Sequence, residues 1–132
     1  MSFYLFLSGL LGLTAVGMGA FGAHALKPIL LEHGLLEAWH TGVLYHLVHA
    51  VAMLAVSLKP STNETGAPLP GARLLRTACA CWLAGIVLFS GSLYLLAGLG
   101  WSRLGLVTPL GGVALLIGWA CVMLAGWKRT TR

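Results

Sequence analysis

The chain has 132 residues, of which 58% are hydrophobic and 8% are charged. Soluble domains carry about 25% charged residues, so this composition excludes an ordinary soluble domain. The mean hydropathy of +0.90 predicts a membrane protein. The net charge of +5 comes from cations that flank apolar runs instead of forming a basic stripe with aromatic residues. We therefore expect the lipid bilayer as a partner, and no nucleic acid.

Four apolar runs are long enough to cross a bilayer, which takes about 20 mostly apolar residues per helix. They predict membrane spans at about 3–25, 35–58, 74–98 and 109–127. Because the spans use most of the chain, we expect one domain over residues 1–132, an all-α four-helix bundle in the membrane. Residues 28–33 predict a short interfacial helix. Residues 59–72 are rich in proline and glycine, which predicts a flexible cytoplasmic loop.

The distribution of the cations predicts the orientation of the bundle. Two cations, Lys27 and Arg103, lie in the first and third loops. The other six lie in the second loop and the C-terminal tail, at Lys59, Arg73, Arg76, Lys128, Arg129 and Arg132. By the positive-inside rule we expect both termini to be cytoplasmic, in a multi-pass protein of the bacterial inner (plasma) membrane. The glycosylation acceptor at Asn63 then faces the cytoplasm, and we expect it to stay unmodified.

Small residues follow one face of the first span, where they allow a second helix to approach closely. This ridge consists of Ser8, Gly12, Ala15, Gly19, Gly22 and Ala23. Over the whole chain, the glycines that we assign to helix packing are Gly12, Gly19, Gly22, Gly91, Gly111 and Gly112.

The second span is small and polar on one face and bulky and aliphatic on the other, at 100° per residue. The first face comprises Ala38, Gly42, Tyr45, His46, His49, Ala52, Met53 and Val56. The opposite face comprises Val43, Leu44, Leu47, Val51 and Leu54. We expect the first face to contact other helices and the second to contact lipid. His40 lies near the outer interface, on the lipid side.

His46 and His49 lie near the predicted midplane, where an ionisable residue is a functional hypothesis by default. The alternative is a neutral imidazole that is hydrogen-bonded to a neighbouring helix and holds the bundle in register. The sequence leaves both hypotheses open, and we give the second precedence.

Polar side chains from several spans share the predicted outer half of the bundle. They predict a polar pocket that opens outward and is formed by His24, Tyr45, His46, His49, Ser90, Ser92, Tyr94 and Thr108. If this pocket binds a ligand or a proton, His24 and His49 are its titratable members, because an imidazole ordinarily titrates near neutral pH.

The ends of the spans carry recognisable signals. Lys27 and Pro28 predict the end of the first helix. Thr108, followed by Pro109, predicts a helix cap at the start of the fourth span. The apolar residues 99–107 are expected to fold against the mouth of the bundle. An aromatic belt at the membrane interfaces is predicted from Trp39, Trp101 and Trp127.

The sequence offers no constellation for a cofactor or for catalysis. His46 and His49 are three residues apart on one helix, so they cannot supply opposite axial ligands to a haem. The third and fourth spans contain no histidine, and the chain contains no aspartate. Small apolar packing residues are expected at Cys79, Cys81 and Cys121. We therefore expect no cofactor, no metal and no enzymatic activity.

Four strings of residues resemble the DUF423 family of small four-span bacterial inner-membrane proteins, which has a eukaryotic relative called transmembrane protein 256. The strings are Gly19-Ala-Phe-Gly-Ala-His-Ala-Leu-Lys27, Tyr45-His-Leu-Val-His-Ala-Val-Ala-Met-Leu54, Gly91-Ser-Leu-Tyr-Leu-Leu96, and Thr108-Pro-Leu-Gly-Gly112 with Gly118-Trp119 downstream. The resemblance covers nearly the whole chain and implies an integral membrane protein without an established activity. It transfers no catalytic residues, and it implies variation at His46, often to Gln.

Two functions remain after these exclusions. The first is a structural or accessory subunit that docks on a larger membrane protein complex or on a second copy of itself. The alternative is a binder or conductor of a small ligand, a proton or a lipid, which would use the outward-facing polar pocket.

Overall fold

The computed structural model describes residues 2–130, except for the side chains of Ser2, Ser102 and 128–130. Its helices are α1 (Ser2–Ala23), α2 (Lys27–Glu32), α3 (Leu36–Ser57), α4 (Ala72–Gly85), α5 (Gly91–Leu99) and α6 (Thr108–Thr130). A π-helical segment, Ile86–Ser90, joins α4 to α5, and a 3₁₀ helix, Ser102–Leu106, precedes α6. We call the continuous helix Ala72–Leu99 the third span.

Four helices are long and apolar enough to cross a membrane. They are Phe3–Ala23, Leu36–Ser57, Ala72–Leu99 and Arg103–Trp127. At 1.5 Å per residue, the 22 residues of α3 extend about 33 Å, which matches a hydrocarbon core of about 30 Å. The prediction of an all-α membrane helix bundle is confirmed.

The bundle consists of two closely packed pairs that meet along α3. In one pair α1 packs on α3, and in the other α6 packs on the third span. The pairs join where α3 contacts the π-helical segment and α5. The main hydrophobic core contains Met53 of α3, Trp82 of the third span and Leu115 of α6. A smaller core of Leu30, Trp39 and Ala97 closes the end of the bundle under α2. The helix α3 therefore lies between the two pairs.

Within the first pair, α1 turns a narrow strip toward α3. Its buried residues Ser8, Ala15 and Gly22 are spaced by seven positions, so they form a single line along the helix. Most of the other side chains of α1 are exposed, including Phe6 at 70% and Leu13 at 72%. The first span thus packs mainly on α3 and has a broad outer face.

Two helix ends differ from the sequence predictions. The first helix ends at Ala23, and Pro28 lies in the first turn of α2, where its missing N–H is tolerated. Thr108 does not cap α6, because the amide of Leu110 already donates to the carbonyl of Val107 at 3.1 Å. The preceding 3₁₀ helix packs on α5, as the apolar character of this connection predicted.

Trp39 is buried, at 2% exposure, whereas Trp101 and Trp127 are 58% and 74% exposed. The Nε1 atom of Trp39 donates a hydrogen bond to the carbonyl of Met18 at 3.0 Å. Its ring occupies the space that a Cβ on Gly22 would need. The prediction that Trp39 belongs to an interfacial belt is therefore wrong, because the glycine on α1 leaves room for the indole inside the bundle.

The connection between α3 and α4 forms a small hairpin, where the sequence predicted a flexible loop. Thr62 and Pro68 pair in an isolated β-bridge. The Oδ1 atom of Asn63 accepts hydrogen bonds from the amides of Thr65 at 3.1 Å and Ala67 at 2.8 Å. An asparagine side chain that satisfies its own turn in this way fixes the backbone.

The π-helical segment in the middle of the third span has no counterpart in the sequence predictions. The backbone of Phe89 in this segment lies so close to α6 that a Cβ on Gly111 would collide with it. Ser90 is fully buried, and its hydroxyl has no hydrogen-bond partner within the described residues. Because π-helical turns occur frequently at functional sites, the surrounding level of the bundle is the first place to search for one.

Candidate functional site: two interhelical histidine networks

The two midplane histidines point into the bundle, as the helical periodicity predicted. His46 is 5% exposed and His49 is 4% exposed. Met53, on the same face of α3, is fully buried. On the opposite face, Leu44 and Val51 are 58% and 56% exposed. The imidazoles are therefore surrounded by helices, and the aliphatic face of α3 is left for lipid.

His49 makes two hydrogen bonds that fix its protonation. Its Nδ1 atom lies 2.7 Å from the carbonyl oxygen of Tyr45, which can only accept. Its Nε2 atom lies 3.1 Å from Nε1 of Trp119, an N–H group that can only donate. The proton of His49 is therefore on Nδ1, Nε2 carries a lone pair, and the imidazole is neutral. An imidazolium would turn two N–H groups against each other at the Trp119 contact.

His46 links α1, α3 and α5. Its Nδ1 atom lies 3.2 Å from the hydroxyl of Tyr94, and its Nε2 atom lies 3.4 Å from Oγ1 of Thr14. The hydroxyl proton of Thr14 is already shared between the carbonyls of Leu10 and Leu11, at 3.0 Å each. Thr14 is thus the acceptor and His46 donates from Nε2. The hydroxyl of Tyr94 has no other acceptor among the described residues, so its proton is directed to Nδ1 of a neutral ring. His46 is neutral in this arrangement and has the opposite tautomer to His49.

Aromatic rings surround His49. The ring centroids of Trp82 and Trp119 lie 6.2 and 6.0 Å from its own, and the two indoles are 5.0 Å apart. The ring of Tyr45 stacks on the other side at 5.9 Å. Trp119 itself is 44% exposed, at the edge of this group. In such an apolar environment the hydrogen bond from Trp119 is stronger than it would be in water. The sequence analysis did not identify Trp82 or Trp119 as partners, and the pair Gly118-Trp119 was the only local signal.

A third polar contact joins the third span to α6. The hydroxyls of Ser92 and Thr108 lie 2.7 Å apart. Ser92 also donates to the carbonyl of Phe89 at 2.8 Å, and Thr108 lies 3.4 Å from the carbonyl of Leu104. The shorter bond of Ser92 favours Thr108 as the donor between the two hydroxyls. The carbonyl of Phe89 belongs to the π-helical segment, where the regular pattern of backbone hydrogen bonds is interrupted.

The structure does not gather the residues of the predicted polar pocket in one place but divides them among separate hydrogen-bonded contacts. The structure brings His46 to Tyr94, His49 to the backbone of Tyr45, and Ser92 to Thr108. Ser90 is buried in the π-helical segment, and the side chain of His24 is exposed beyond the end of α1. Each buried imidazole has both nitrogens engaged.

The glycines assigned to packing have different surroundings. A Cβ on Gly22 or Gly111 would collide with the facing helix, and one on Gly19 would lie 3.4 Å from Val43. A Cβ on Gly112 would lie 3.8 Å from the ring of Phe89. A Cβ on Gly91 would have only a carbonyl oxygen at 4.0 Å, and one on Gly12 would meet nothing within 4 Å. The sequence analysis missed the two glycines whose Cβ atoms would collide with Leu115 and Trp82, which are Gly85 and Gly118.

The two buried cysteines belong to the hydrophobic core, and no metal site is formed by the described residues. Cys79 is fully buried in the main core and Cys121 is 8% exposed in the same core, and both are free thiols. In the part of the chain that the structure describes, no three His, Cys, Asp or Glu side chains are grouped to hold a metal ion. The chemistry of this level is therefore hydrogen bonding between neutral groups, which ties α3 to every other span.

Comparison with known proteins places the chain in a family. The model of the family described as "Protein of unknown function (DUF423)" matches residues 18–112. The chain is 42% identical to the UPF0382 membrane protein YwdK of Bacillus subtilis, over 97% of this chain and 98% of the relative. It is 39% identical to a UPF0382 membrane protein of Haemophilus influenzae, over 95% of this chain and 94% of the relative.

A eukaryotic relative also matches over most of its length. The UPF0382 membrane protein C1782.12c of Schizosaccharomyces pombe is 35% identical, over 89% of this chain and 95% of the relative. No solved structure matches the chain. The relatives are named as membrane proteins, and the four apolar helices agree with a multi-pass protein of a bacterial membrane. The chain belongs to the DUF423 family, whose biochemical activity is unknown.

Proposed function

We propose that this protein is a non-catalytic accessory subunit that docks on another transmembrane helix through the outer face of α1. The observation that carries the proposal is the set of α1 glycines that internal packing does not use. A Cβ on Gly9, Gly12 or Gly17 would meet nothing within 4 Å. Glycine in a helix costs about 1 kcal/mol relative to alanine, and close approach of a second helix is a use that offsets this cost.

The outer face of α1 has the shape that helix docking needs. Gly9 and Gly17 lie one turn on either side of Leu13, which is 72% exposed. This order produces a side-chain knob between two shallow gaps along one ridge of the helix. Phe6 and Val16, at 70% and 64% exposure, border the ridge. The occupant that fits is an apolar helix in the same membrane, from a partner subunit or from a second copy.

The buried networks support a structural role for the interior. Both imidazoles are neutral, and both ring nitrogens of each are engaged by other groups of the chain. A proton carrier needs a nitrogen that can exchange its proton with water or with a second carrier. The interior thus acts as a set of links that keep the bundle rigid while α1 engages a partner.

Replacing the two glycines with leucine tests the docking face. We expect the native protein, extracted from its own membrane in mild detergent, to migrate in native electrophoresis as a complex larger than the monomer. The double variant Gly9→Leu/Gly17→Leu is expected to migrate as the monomer, because leucine fills both gaps. The control Ala84→Leu adds similar bulk to an exposed position on the third span and should leave the complex intact. A native protein that is monomeric in mild detergent and in lipid nanodiscs would overturn the proposal.

The proposed orientation puts both termini in the cytoplasm. It is supported by the six cations of the second loop and the C-terminal tail, against two in the other loops. A green fluorescent protein fused to the C-terminus should fluoresce in the cytoplasm, whereas alkaline phosphatase at the same position should be inactive. Active phosphatase at the C-terminus would reverse the orientation.

A second candidate function is the binding of an apolar or amphipathic ligand on the side of the bundle. It is supported by a crevice of about 500 Å³ whose walls include Ser92 and Tyr94, two residues of the predicted pocket. A photoactivatable lipid in the membrane should label peptides that contain Met18 and Leu95, which line this crevice. Labelling spread evenly over all exposed helices would contradict this function.

A further inference from the structure

The crevice lies between α1, the third span and the segment that leads into α6. Its volume is about 500 Å³, and its surface is almost entirely carbon. This volume is in the range of small-molecule sites in proteins. Its walls include Met18, Val87, Leu95, Leu104 and Val107. Because this side of an apolar bundle faces hydrocarbon, an acyl chain can fill the crevice and recover the dispersion contacts that an empty space would lose.

The crevice reaches from the middle of the bundle to one end. On the third span its walls run from Val87 in the π-helical segment to Leu95 in α5, which is about 12 Å along the helix axis. Leu104 lies in the 3₁₀ helix that covers this end of the bundle. The length is that of an acyl chain running from the membrane interface toward the midplane, where the hydrocarbon core is about 30 Å thick.

A cation lines a neighbouring cavity that shares one wall with the crevice. Leu104 also borders a second cavity of about 360 Å³, whose other walls are Gly100, Trp101 and Arg103. Arg103 is exposed and has no ion-pair partner among the residues that the structure describes. Trp101 is 58% exposed beside it. Arginine and tryptophan at the end of an apolar bundle are typical of the lipid headgroup level, and a guanidinium matches the geometry of a phosphate.

We propose that the crevice and Arg103 form a site for one anionic phospholipid. The inference rests on the second candidate function and specifies its ligand. One acyl chain lies along Met18 and Leu95, and the phosphate lies at the guanidinium of Arg103. A free phosphate ion leaves the carbon walls unused, and a zwitterionic lipid brings its own cation close to Arg103. Apolar walls and an unpaired cation together therefore favour a lipid with net negative charge.

Native mass spectrometry of the purified protein tests the lipid class. The protein is equilibrated with equal amounts of phosphatidylglycerol and phosphatidylcholine, and the bound lipid is identified and quantified from the mass of the complex. We expect about a fivefold preference for phosphatidylglycerol, which corresponds to about 1 kcal/mol for one cation at a membrane surface. Arg103→Gln should reduce the preference to parity. Lys27→Gln, which removes an exposed cation outside the crevice, should keep it.

A second variant tests the crevice separately from the charge. Gly91 lines the crevice, and a Cβ there would meet only the carbonyl oxygen of Ile86, at 4.0 Å. Gly91→Leu should fill the space and lower the retention of both lipids, whereas Ala84→Leu on the same span should not. Equal retention of both lipids by the native protein would overturn the anionic class alone. A preference for phosphatidylglycerol that is unchanged in Arg103→Gln would overturn the role of Arg103. Normal retention in Gly91→Leu would overturn the crevice as a binding site, and with it the second candidate function.

Discussion

The two helix pairs of the bundle use their glycines in different ways. Between α6 and the third span, a Cβ on Gly111 would collide with the backbone of Phe89, and one on Gly118 would collide with Trp82. On α1, a Cβ on Gly9 or Gly17 would meet nothing within 4 Å. The pair formed by α6 and the third span is packed through its own glycines, whereas some glycines of α1 lie on the outside of the bundle. Glycines in these helices therefore serve internal packing in one pair, and on α1 we propose that they serve contacts with another chain.

The histidine hydrogen bonds also differ between the two helix pairs. His49 accepts a hydrogen bond from Trp119 of α6 at 3.1 Å, inside a group of packed aromatic rings. His46 reaches Thr14 of α1 at the longer distance of 3.4 Å. Both Trp119 and Thr14 are exposed residues, so the two links differ in length and in the aromatic rings packed around His49. We expect substitutions in the pair formed by α6 and the third span to cost more stability than substitutions on α1.

The largest expected effect is that of Gly111→Ala. The added methyl group collides with backbone atoms of Phe89, which cannot move aside as a flexible side chain can. We expect a loss of about 3 kcal/mol, at the upper end for overpacking, measured by reversible unfolding in mixed micelles. The control is the neighbouring Gly112→Ala, whose Cβ would lie 3.8 Å from the ring of Phe89. Equal effects of the two substitutions would remove the distinction on which the comparison depends.

A smaller loss is expected for Trp119→Phe. The substitution keeps an aromatic ring but leaves Nε2 of His49 without a donor. The expected cost is about 1.5 kcal/mol, near the upper end for interhelical hydrogen bonds in membranes. Trp127→Phe is the matched control, since Trp127 is 74% exposed. If both variants unfold at the same denaturant concentration as the native protein, the Trp119 contact does not stabilise the bundle.

On α1 the sign of the effect should depend on the face. Gly9→Ala is expected to raise the stability of the isolated bundle by up to about 1 kcal/mol, because alanine is the better helix former. Gly22→Ala on the same helix should lower it, because the methyl group collides with the indole of Trp39. Unfolding of the two variants under one set of conditions makes the comparison. A loss at Gly9 would place this residue in an internal contact.

The smallest effect is expected for Tyr94→Phe. It removes the hydroxyl that donates to Nδ1 of His46, and the expected cost is about 0.6 kcal/mol, the average for such bonds in a membrane protein. Tyr45→Phe is the control, because the ring of Tyr45 is 41% exposed and its contact with His49 is made by the backbone carbonyl. A cost above that of Trp119→Phe would show that the contact between α3 and α5 is stronger than we expect.

The sequence was sufficient to predict the features that depend on periodicity and depth. The run from Ala38 to Val56 carries its polar and aliphatic residues on opposite faces, and a helix of known pitch has only one way to place them. The burial of His46 and His49 follows from that pattern and from the cost of a polar group in hydrocarbon. The four apolar helices follow from length and composition alone.

The features that the sequence did not predict depend on contacts between distant segments. Trp119 is 70 positions from His49, and nothing local to either residue specifies the register of α3 against α6. The burial of Trp39 depends on the glycine that faces it from α1. The π-helical segment Ile86–Ser90 has the composition of an ordinary apolar helix. In each case the outcome depends on packing that a single helix does not encode.

The central claim is that the midplane histidines are neutral links between helices, each with one assigned proton. Nitrogen-15 NMR of histidine-labelled protein in lipid bilayers at pH 7 tests this claim most directly. We predict that His49 is protonated at Nδ1 alone, with Nε2 coupled through a hydrogen bond to the indole proton of Trp119. An imidazolium, or a neutral ring that is protonated at Nε2, would contradict the account.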